Sequence, residues 1–401
     1  MPATVGGVAA GRRVIPASLD DAQRALADAA AAAQTVAFVG GGTELGFGYP
    51  PRPVDVLVET TRLARIVEYQ PADMVVEVEC GVTLAALQGA LAPHGQRLAL
   101  DPPQPEVATI GGLVSTNAFG PLRTRYGSLR DLIVGVSLIR ADGARARGGG
   151  KVVKNVAGFD LPKLAVGALG TLGMIATATL RLHPLPETTM ALRLGGRSPS
   201  EVAGIVRELV AGQLEPAAVL AFRTPSGAYD LDVVFDGFPA GVAEQSRHLR
   251  EFACARGCVA EALHDPSESF ARDGAIRTRG DVRMRFAVPP AAFERLERDA
   301  LLPLGRTLAA TQVVAYPVLG VAFVTTIASG VAGASEALVA ARDVAEGAGG
   351  NAVVLEASAP EVVGRVDVFG TLPPAFALMR GLKDRFDPSH RLNPGRFLGK
   401  L

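Results

Sequence analysis

The sequence predicts an α+β protein with two domains and a separate C-terminal segment. Three observations support this class. The 401 residues correspond to roughly two to three domains at about 150 residues each. Short β-branched apolar runs are interspersed with helix-like segments, and the sequence pattern changes near residue 190. We therefore place the first domain at 1–190, the second at 191–370 and the C-terminal segment at 371–401.

The composition excludes several classes of protein. Hydrophobic residues make up 48% of the chain and the 40 basic residues balance the 40 acidic ones, so neither disorder nor nucleic-acid binding through bulk charge is expected. The three cysteines are too few for a secreted disulfide framework or for one iron–sulfur cluster, which favours a reducing compartment. The N-terminus lacks a signal-peptide pattern. The uncharged stretch Thr307–Ser335 is interrupted by Pro317 and Gly320, which favours two buried strands over a membrane span.

Capping residues and apolar runs define the elements of the first domain. Ser18 and Asp21 resemble a capping box before an Ala-rich helix that runs to Gln34, and Thr83 caps a helix from Leu84 to His94. Strands are predicted at Val36–Val39, Val54–Val58, Met74–Val78 and Leu132–Arg140. Residues 101–127 are rich in Gly, Pro, Asn and Thr, which predicts a long loop, and long ordered loops are usually functional.

The second domain mixes strand-like and helix-like runs, which is typical of an antiparallel sheet covered by helices. The strands are predicted at Ala191–Leu194, Val219–Phe222, Leu231–Phe235, Met284–Val288 and Val321–Ile327. The helices are predicted at Ser200–Gly212, Gly241–Gly257, Pro290–Leu302 and Ser335–Gly347. One more helix, Pro374–Phe386, begins the C-terminal segment.

A glycine-rich loop, Gly40-Gly41-Gly42-Thr43-Glu44, follows the strand Val36–Val39 directly. Consecutive glycines permit positive φ and allow backbone N–H groups to converge on an anion such as a pyrophosphate. The loop is neither a Walker loop nor the Gly-x-Gly-x-x-Gly fingerprint, since Leu45 occupies the last position. When this loop is considered without the rest of the sequence, a tight turn is a stronger interpretation than an anion-binding loop.

Two further glycine clusters change that balance. Thr109-Ile110-Gly111-Gly112 precedes Asn117-Ala118-Phe119-Gly120, and Gly167, Gly170 and Gly173 recur at every third residue near the start of a strand. Three clusters within residues 40–173 are difficult to explain as unrelated turns. A large anionic cofactor lying along the domain would explain all three, and this requires that they converge in space.

At these residues the sequence resembles the FAD-binding (PCMH-type) domain of the vanillyl-alcohol oxidase and p-cresol methylhydroxylase superfamily. The matching motifs are Gly40–Thr43, Ala108–Gly112 with Asn117-Ala118, Tyr126–Asp131, Gly170–Ile175 and Asn393–Arg396. Within the superfamily, the run Lys154–Asp160 is similar to one family of FAD-binding subunits of bacterial glycolate oxidase, an enzyme also called glycolate dehydrogenase.

The resemblance implies roles by position. Non-covalent FAD would be held at its pyrophosphate by Gly40, Gly41, Gly42 and Thr43. The pyrophosphate and flavin side would be lined by Thr109, Gly111, Gly112, Ser115 and Asn117, and the adenosine end would meet Gly173 and Ile175. Asn393 would return from the C-terminal segment toward the isoalloxazine. Residues 191–370 would form a cap domain over the flavin.

The same resemblance implies oxidation of glycolate or a similar 2-hydroxy acid, with a second FAD-binding subunit and an iron–sulfur subunit as partners. The protein would be cytoplasmic, with contact to the inner membrane only through those partners. The alternative is a non-catalytic FAD-binding subunit that serves as scaffold or electron relay, because the chain lacks the His-rich motif of related catalytic subunits.

Oxidation of a 2-hydroxy acid needs a base for the hydroxyl proton and a cation for the carboxylate. His390, three residues before Asn393, is the candidate base. Arg285 is the candidate cation within the cluster Arg277, Arg279, Arg283 and Arg285, although a solvated face remains the stronger interpretation of that cluster as a whole. Cys254 and Cys258 are expected on a buried helix face, and no metal site is expected.

Overall fold

The computed structural model describes residues 4–150, 160–308 and 310–401, and the chain forms two compact units. The first unit contains the described residues up to Phe119, those of Gly127–Leu185, and Leu372–Leu401. The second contains Gly120–Tyr126 and Pro186–Thr371. The α+β class is confirmed. The motif Lys154–Asp160 lies outside the described residues except for Asp160, which caps a short helix.

A four-stranded sheet, in the order β1-β2-β4-β3, carries the glycine-rich loop of the first unit. Its strands are β1 Thr4–Val5, β2 Val8–Val14, β3 Val36–Val39 and β4 Val54–Glu59, and β4 pairs in parallel with both β2 and β3. Helix α1, Leu19–Ala31, connects β2 to β3 and begins where the Ser18 side chain accepts a hydrogen bond from the Asp21 N–H. The loop leaves the sheet at the end of β3.

The second sheet of this unit is antiparallel, in the order β5-β6-β10-β8-β9. Its strands are β5 Ile66–Gln70, β6 Val75–Glu79, β8 Ile133–Ile139, β9 Arg145–Gly149 and β10 Met174–Arg181, while β7 Gln96–Arg97 pairs with β11 His183–Pro184. Buried Glu77 in β6 is paired with Arg147 at 2.9 Å and accepts a hydrogen bond from Thr177 Oγ1 at 2.9 Å.

Short helices connect these strands, and one of them corrects the sequence analysis. The bounds are α2 Leu84–Leu91, α3 Ile110–Thr116, α4 Arg123–Tyr126, α5 Leu129–Leu132, α6 Leu161–Ala165 and, in the C-terminal segment, α13 Phe376–Phe386. The loop predicted at 101–127 is wrong in part, because it contains α3 and α4. Gly111 and Gly112 have poor helix propensity, but the Thr109 side chain caps α3 by accepting from the Gly112 N–H at 3.3 Å.

The second unit is built on an eight-stranded antiparallel sheet in the order β15-β12-β14-β13-β17-β18-β16-β19. Its strands are β12 Thr188–Arg197, β13 Ala218–Arg223, β14 Tyr229–Gly237, β15 Glu261–Ala262, β16 Val282–Ala287, β17 Gln312–Tyr316, β18 Val321–Thr326 and β19 Asn351–Ala357. Its helices are α7 Pro199–Ala211, α8 Pro239–Cys254, α9 Ser267–Arg277, α10 Phe293–Leu296, α11 Leu302–Thr307 and α12 Ala334–Gly347.

The uncharged stretch Thr307–Ser335 forms the inner strands β17 and β18, as the sequence analysis predicts. Val313 and Val324 are 1% and 2% exposed, so these strands are buried in the protein core. Among the described residues, no helix has both the length and the apolar character needed to cross a membrane.

Candidate functional site

The three glycine clusters converge on one cleft in the first unit, which encloses about 800 Å³ of empty space up to its open mouth. Of the residues predicted to bind a cofactor, its lining includes Gly40, Gly41, Gly42, Thr43, Thr109, Gly111, Gly112, Ser115, Gly173, Ile175 and Asn393. Asn117 is the one residue of that set that does not line the cleft. Residues from all three glycine clusters thus line the same cleft, as the sequence analysis predicts.

The glycine-rich loop lies directly against the segment that precedes α3. A Cβ atom on Gly40 would lie 2.1 Å from Thr109 Oγ1, and one on Gly41 would lie 1.7 Å from the Val107 carbonyl oxygen. Only Gly42 of the three has a positive φ, at +80°. Close approach of the Thr109 side chain to Gly40 and of the Val107 backbone to Gly41, rather than backbone conformation, therefore explains two of the three glycines.

The segment around α3 is held equally tightly from behind. A Cβ atom on Gly111 would lie 2.7 Å from Cys80 Cβ, and the Gly111 N–H donates to the Cys80 carbonyl oxygen at 2.7 Å. Asn117 ends α3 in the left-handed conformation, with φ at +51°. Asn117 thus terminates the helix and lies beside Gly167, where a Cβ atom would be 3.6 Å from Asn117 Cβ.

Asn393 connects the C-terminal segment to two walls of the cleft. Its Nδ2 donates to the Leu169 carbonyl oxygen at 2.7 Å, and its Oδ1 accepts from the Phe38 N–H at 3.2 Å. Its own N–H donates to the Val36 carbonyl oxygen at 2.7 Å. The amide group is thus engaged with the protein backbone on both sides. This points to a positioning role for Asn393.

We expect Asn393→Ala to lower the free energy of unfolding by about 1–3 kcal/mol, because it leaves the buried Leu169 carbonyl oxygen and the partly buried Phe38 N–H unpaired. Asn393→Asp should cost at least as much, because a carboxylate oxygen would replace the amide donor facing the Leu169 carbonyl. Urea denaturation measures both. Asn351→Ala on the exposed start of β19 is the control. An Asn393→Asp protein as stable as the wild type would contradict this role.

Cys80 is a lining residue that the sequence analysis did not identify. It follows β6 and reaches the cleft only because α3 packs against it, a contact that no local sequence pattern reveals. Burial raises the pKa of its thiol to about 12, so the side chain stays protonated at neutral pH. A protonated thiol is a poor nucleophile. Cys80 is therefore suited to packing and not to covalent attachment of a ligand.

The two candidate catalytic residues are not in the cleft lining. His390 Nε2 lies 2.9 Å from Asp384 Oδ1, and the histidine lines a separate depression with Arg52 and Arg380. Arg285 belongs to β16 in the second unit, where it is partly buried and aligned with Phe323 of β18 and Val353 of β19. Their catalytic roles remain predictions.

Two arginines of the cluster around Arg285 are committed to contacts within the second unit. Arg277 is buried, donates to Tyr316 Oη at 2.9 Å, and is paired with Asp273 at 3.2 Å. Arg283 is paired with Glu356 and also donates to the Arg277 carbonyl oxygen at 2.9 Å. These pairs differ from the solvated face that was expected, because α9 packs on β17 and β18 and buries its ionic side chains there.

The expectation of a buried face for Cys254 and Cys258 is wrong. Cys254 is exposed and Cys258 is partly exposed, because the buried face of α8 runs through Leu249, Phe252 and Ala253. Arg197 Nη1 lies 2.7 Å from Cys258 Sγ. Within the described ranges, no three His, Cys, Asp or Glu side chains are grouped so that they could hold a metal ion.

Comparison with known proteins identifies the first unit. Residues 10–149 match the family model FAD_binding_4, described as an FAD binding domain. The match supports an FAD-binding domain over these residues. The match includes the glycine-rich loop and the segment around α3, which are two of the three clusters that line the cleft.

Curated relatives share this part of the chain. The chain is 39% identical over 144 residues to the glycolate oxidase subunit GlcE of Escherichia coli, covering 35% of this chain and 41% of the relative. It is 31% identical over 187 residues to the glycolate oxidase subunit GlcD of Bacillus subtilis, covering 47% and 40%. It is 34% identical over 182 residues to the D-lactate dehydrogenase of Archaeoglobus fulgidus, covering 45% and 40%. The matches therefore span less than half of each relative's length.

A solved structure extends the fold similarity to nearly the whole chain. Alkyldihydroxyacetonephosphate synthase superposes with a TM-score of 0.74 at 17% sequence identity, covering 95% of this chain and 75% of the synthase. At this identity the match supports a shared fold and carries no information about the reaction. Both the FAD-binding domain and the second unit thus follow an architecture seen in a solved protein.

Proposed function

We propose that this protein is the FAD-binding subunit of a complex that oxidises glycolate or a similar 2-hydroxy acid. The observation that carries the proposal is the convergence of the three glycine clusters on one cleft of the FAD-binding domain. The names of the relatives supply the substrate class, since they include two glycolate oxidase subunits, D-lactate dehydrogenases and a D-2-hydroxyglutarate dehydrogenase. All of these names refer to 2-hydroxy acids.

The walls of the cleft fit FAD. The Gly40–Thr43 loop lines the cleft, and its three glycines carry no side chains that would keep a phosphate away from the N–H groups of the loop. In this assignment the loop and Thr109 hold the pyrophosphate. The segment containing Gly111, Gly112 and Ser115 lines the flavin side. Gly173 and Ile175 meet the adenosine end through their backbones.

Binding is proposed to be non-covalent. Cys80 is a thiol lining the cleft, and burial keeps its pKa near 12. The remaining lining residues offer no histidine among those the structure describes. Heat-denatured protein should therefore release all of its flavin into the supernatant, where absorbance quantifies it.

Bound FAD would supply the acceptor for a hydride from the substrate carbon. The protein must supply a base for the substrate hydroxyl and a cation for the carboxylate. We assign these roles to His390 and Arg285. His390 carries the weaker case, because it faces Asp384 in a depression separate from the cleft lining.

A second candidate function follows from the lack of histidine in the described cleft lining. In this alternative, the protein binds FAD as a scaffold or electron relay while a paralogous flavoprotein subunit oxidises the substrate. Both functions require an outlet for electrons. Because three cysteines cannot hold an iron–sulfur cluster, we propose a separate iron–sulfur subunit as a partner, together with the second flavoprotein.

One anaerobic experiment separates the two candidates. The purified protein is mixed with glycolate or D-lactate, and its flavin absorbance is recorded. Bleaching supports catalysis by this chain. A yellow protein that bleaches with dithionite but not with either acid supports the relay or scaffold function. A preparation that binds no flavin would contradict both.

We expect Arg285→Ala to raise the KM for a 2-hydroxy acid in the assembled complex by about 10- to 100-fold, because a charge-assisted bond to the carboxylate is lost. Arg279→Ala, an exposed arginine of the same cluster, is the matched control and should leave KM unchanged. Initial rates over a range of substrate concentrations measure both. Equal KM values for Arg285→Ala and wild type would remove Arg285 from the site.

A further inference from the structure

A depression on the first unit, separate from the cleft, brings three basic side chains together. Its lining includes Arg52, which lies just before β4, Arg380 of α13 and Lys400 of the short turn 398–400. All three are exposed, and within the described residues none of them forms an ion pair with a carboxylate. The sequence as a whole carries 40 basic and 40 acidic residues, so a general excess of basic residues does not account for this cluster.

Two acidic groups also line the depression, and both have other partners. Asp384 lies one helical turn after Arg380, but its Oδ1 faces His390 Nε2 at 2.9 Å. A carboxyl oxygen of Leu401 accepts a hydrogen bond from the Phe397 N–H at 3.1 Å. The three cations therefore outnumber the two carboxylates, and the depression keeps a net positive charge.

Packing within the first unit holds two of the three cations in place. Arg52 lies along Gly395, where a Cβ atom would be 3.3 Å from Arg52 Cγ and 3.7 Å from its Nε. The guanidinium carbon of Arg380 lies 5.0 Å from the centre of the Phe376 ring, and a Cβ atom on Gly399 would collide with that ring. Side chains that are already positioned lose less conformational freedom when they bind a ligand.

An exposed arginine without an ion pair is not unusual when it stands apart. Arg306 of α11 is exposed and, in the part of the chain that the structure describes, forms no ion pair. Such a side chain is solvated and needs no ligand. The depression differs because three unpaired cations from separate parts of the sequence line one concave surface.

We propose that the depression binds a small oxyanion with two or more negative charges, such as pyrophosphate or a polycarboxylate. The two guanidinium groups have the donor geometry that suits phosphate and carboxylate oxygens, and the ammonium of Lys400 adds a third charge. The ligand would lie against Pro394 and Gly395, which directly follow Asn393 of the cleft wall. Bound anion would therefore stabilise the folded C-terminal segment. The proposal does not depend on the reaction that the protein catalyses.

Calorimetric titration of the full-length protein tests this site. FAD is present in excess, so that the cleft is not open to the anion, and the ionic strength is held constant. The titrants are pyrophosphate, citrate and the monovalent anion acetate. We expect pyrophosphate or citrate to bind at one site at least about 10-fold more tightly than acetate, and the comparison of the two shows whether phosphate or carboxylate is preferred.

A variant with Arg52→Gln, Arg380→Gln and Lys400→Gln should bind the preferred anion at least about 30-fold more weakly than the wild type.

The matched control removes the same number of charges from exposed positions of the second unit, through Arg207→Gln, Arg250→Gln and Arg306→Gln. It should bind the anion as the wild type does, which separates a local site from an effect of net charge.

Either of two results would overturn the proposal. One is wild-type protein that binds neither pyrophosphate nor citrate more tightly than acetate. The other is a depression variant that binds as tightly as the matched control. If the triple variant does not fold, Lys400→Gln alone decides, because it should weaken binding by about 3- to 10-fold and an unchanged affinity would reject the site. FAD binding is measured separately, so its failure would defeat the cofactor assignment and not this site.

Discussion

Gly41→Ala should yield a folded protein that has lost FAD, with affinity reduced by more than about 100-fold. The added Cβ would lie 1.7 Å from the Val107 carbonyl oxygen, a distance that no side-chain rotation can relieve. Val107 cannot retreat easily, because its N–H and that of Ala108 both donate to the Gln104 carbonyl oxygen, at 3.1 and 2.9 Å. The glycine-rich loop must move instead, and its N–H groups leave the position from which they would meet a phosphate.

Absorbance of the purified protein at flavin wavelengths, followed by titration with FAD, measures this effect. Gly89→Ala is the control, because Gly89 is in α2 and a Cβ atom there would have no neighbour within 4 Å. That substitution should stabilise the protein by about 0.5–1 kcal/mol through helix propensity and leave FAD binding unchanged. A Gly41→Ala protein with normal flavin content would show that the loop does not hold the cofactor.

Lys383→Met is expected to lower the free energy of unfolding by about 3–5 kcal/mol. Lys383 is 1% exposed, and its Nζ lies 2.6 Å from Asp387 Oδ2. It also donates to the carbonyl oxygens of Thr171 at 2.8 Å and Leu392 at 3.0 Å. Methionine fills the space but leaves the fully buried Asp387 carboxylate without its counter-ion. The C-terminal segment then loses its attachment to the chain at Thr171.

Urea denaturation of apoprotein and holoprotein tests this prediction. Lys163→Met is the matched control, because Lys163 forms a pair with Asp160 in which the side chains are 48% and 52% exposed. Such surface pairs contribute about 0.2–1 kcal/mol. The double variant Lys383→Met with Asp387→Leu should recover part of the stability, because it removes the stranded carboxylate. A Lys383→Met protein no less stable than the Lys163→Met protein would mean that the buried pair does not hold the segment.

The sequence predicts the lining of the cleft more completely than it predicts the residues that hold the cleft in place. The three glycine clusters can be recognised in the sequence because a close approach to the backbone requires glycine, and repeated glycines stand out. Cys80 and Lys383 were missed because nothing near them in the chain marks them as buried. A lysine in α13, a helix whose other residues are all exposed or partly exposed, is ordinarily solvated. Their roles follow from segments that meet only in the folded protein.

The α3 helix and the candidate catalytic residues illustrate two other limits. Helix α3 contains two adjacent glycines, so propensity argues against it, and tertiary packing against Cys80 overrides that preference. His390 is close in sequence to Asn393, but the chain changes direction at His390, which has a positive φ of +50°. Proximity along the chain therefore did not place His390 in the cleft.

The attachment of residues 383–396 to the first unit has a consequence for the order of events during synthesis. Val36 pairs with Arg391 and Asn393 through its backbone, and Asn393 bridges Phe38 to Leu169, so the cleft is complete only after residues 391–393 have been synthesised and have left the ribosome. The glycine-rich loop is translated more than 300 residues earlier, so the cleft lacks the wall that contains Asn393 until that segment is made. We therefore expect a nascent polypeptide still tethered near residue 370 to lack the complete cleft and to bind no flavin.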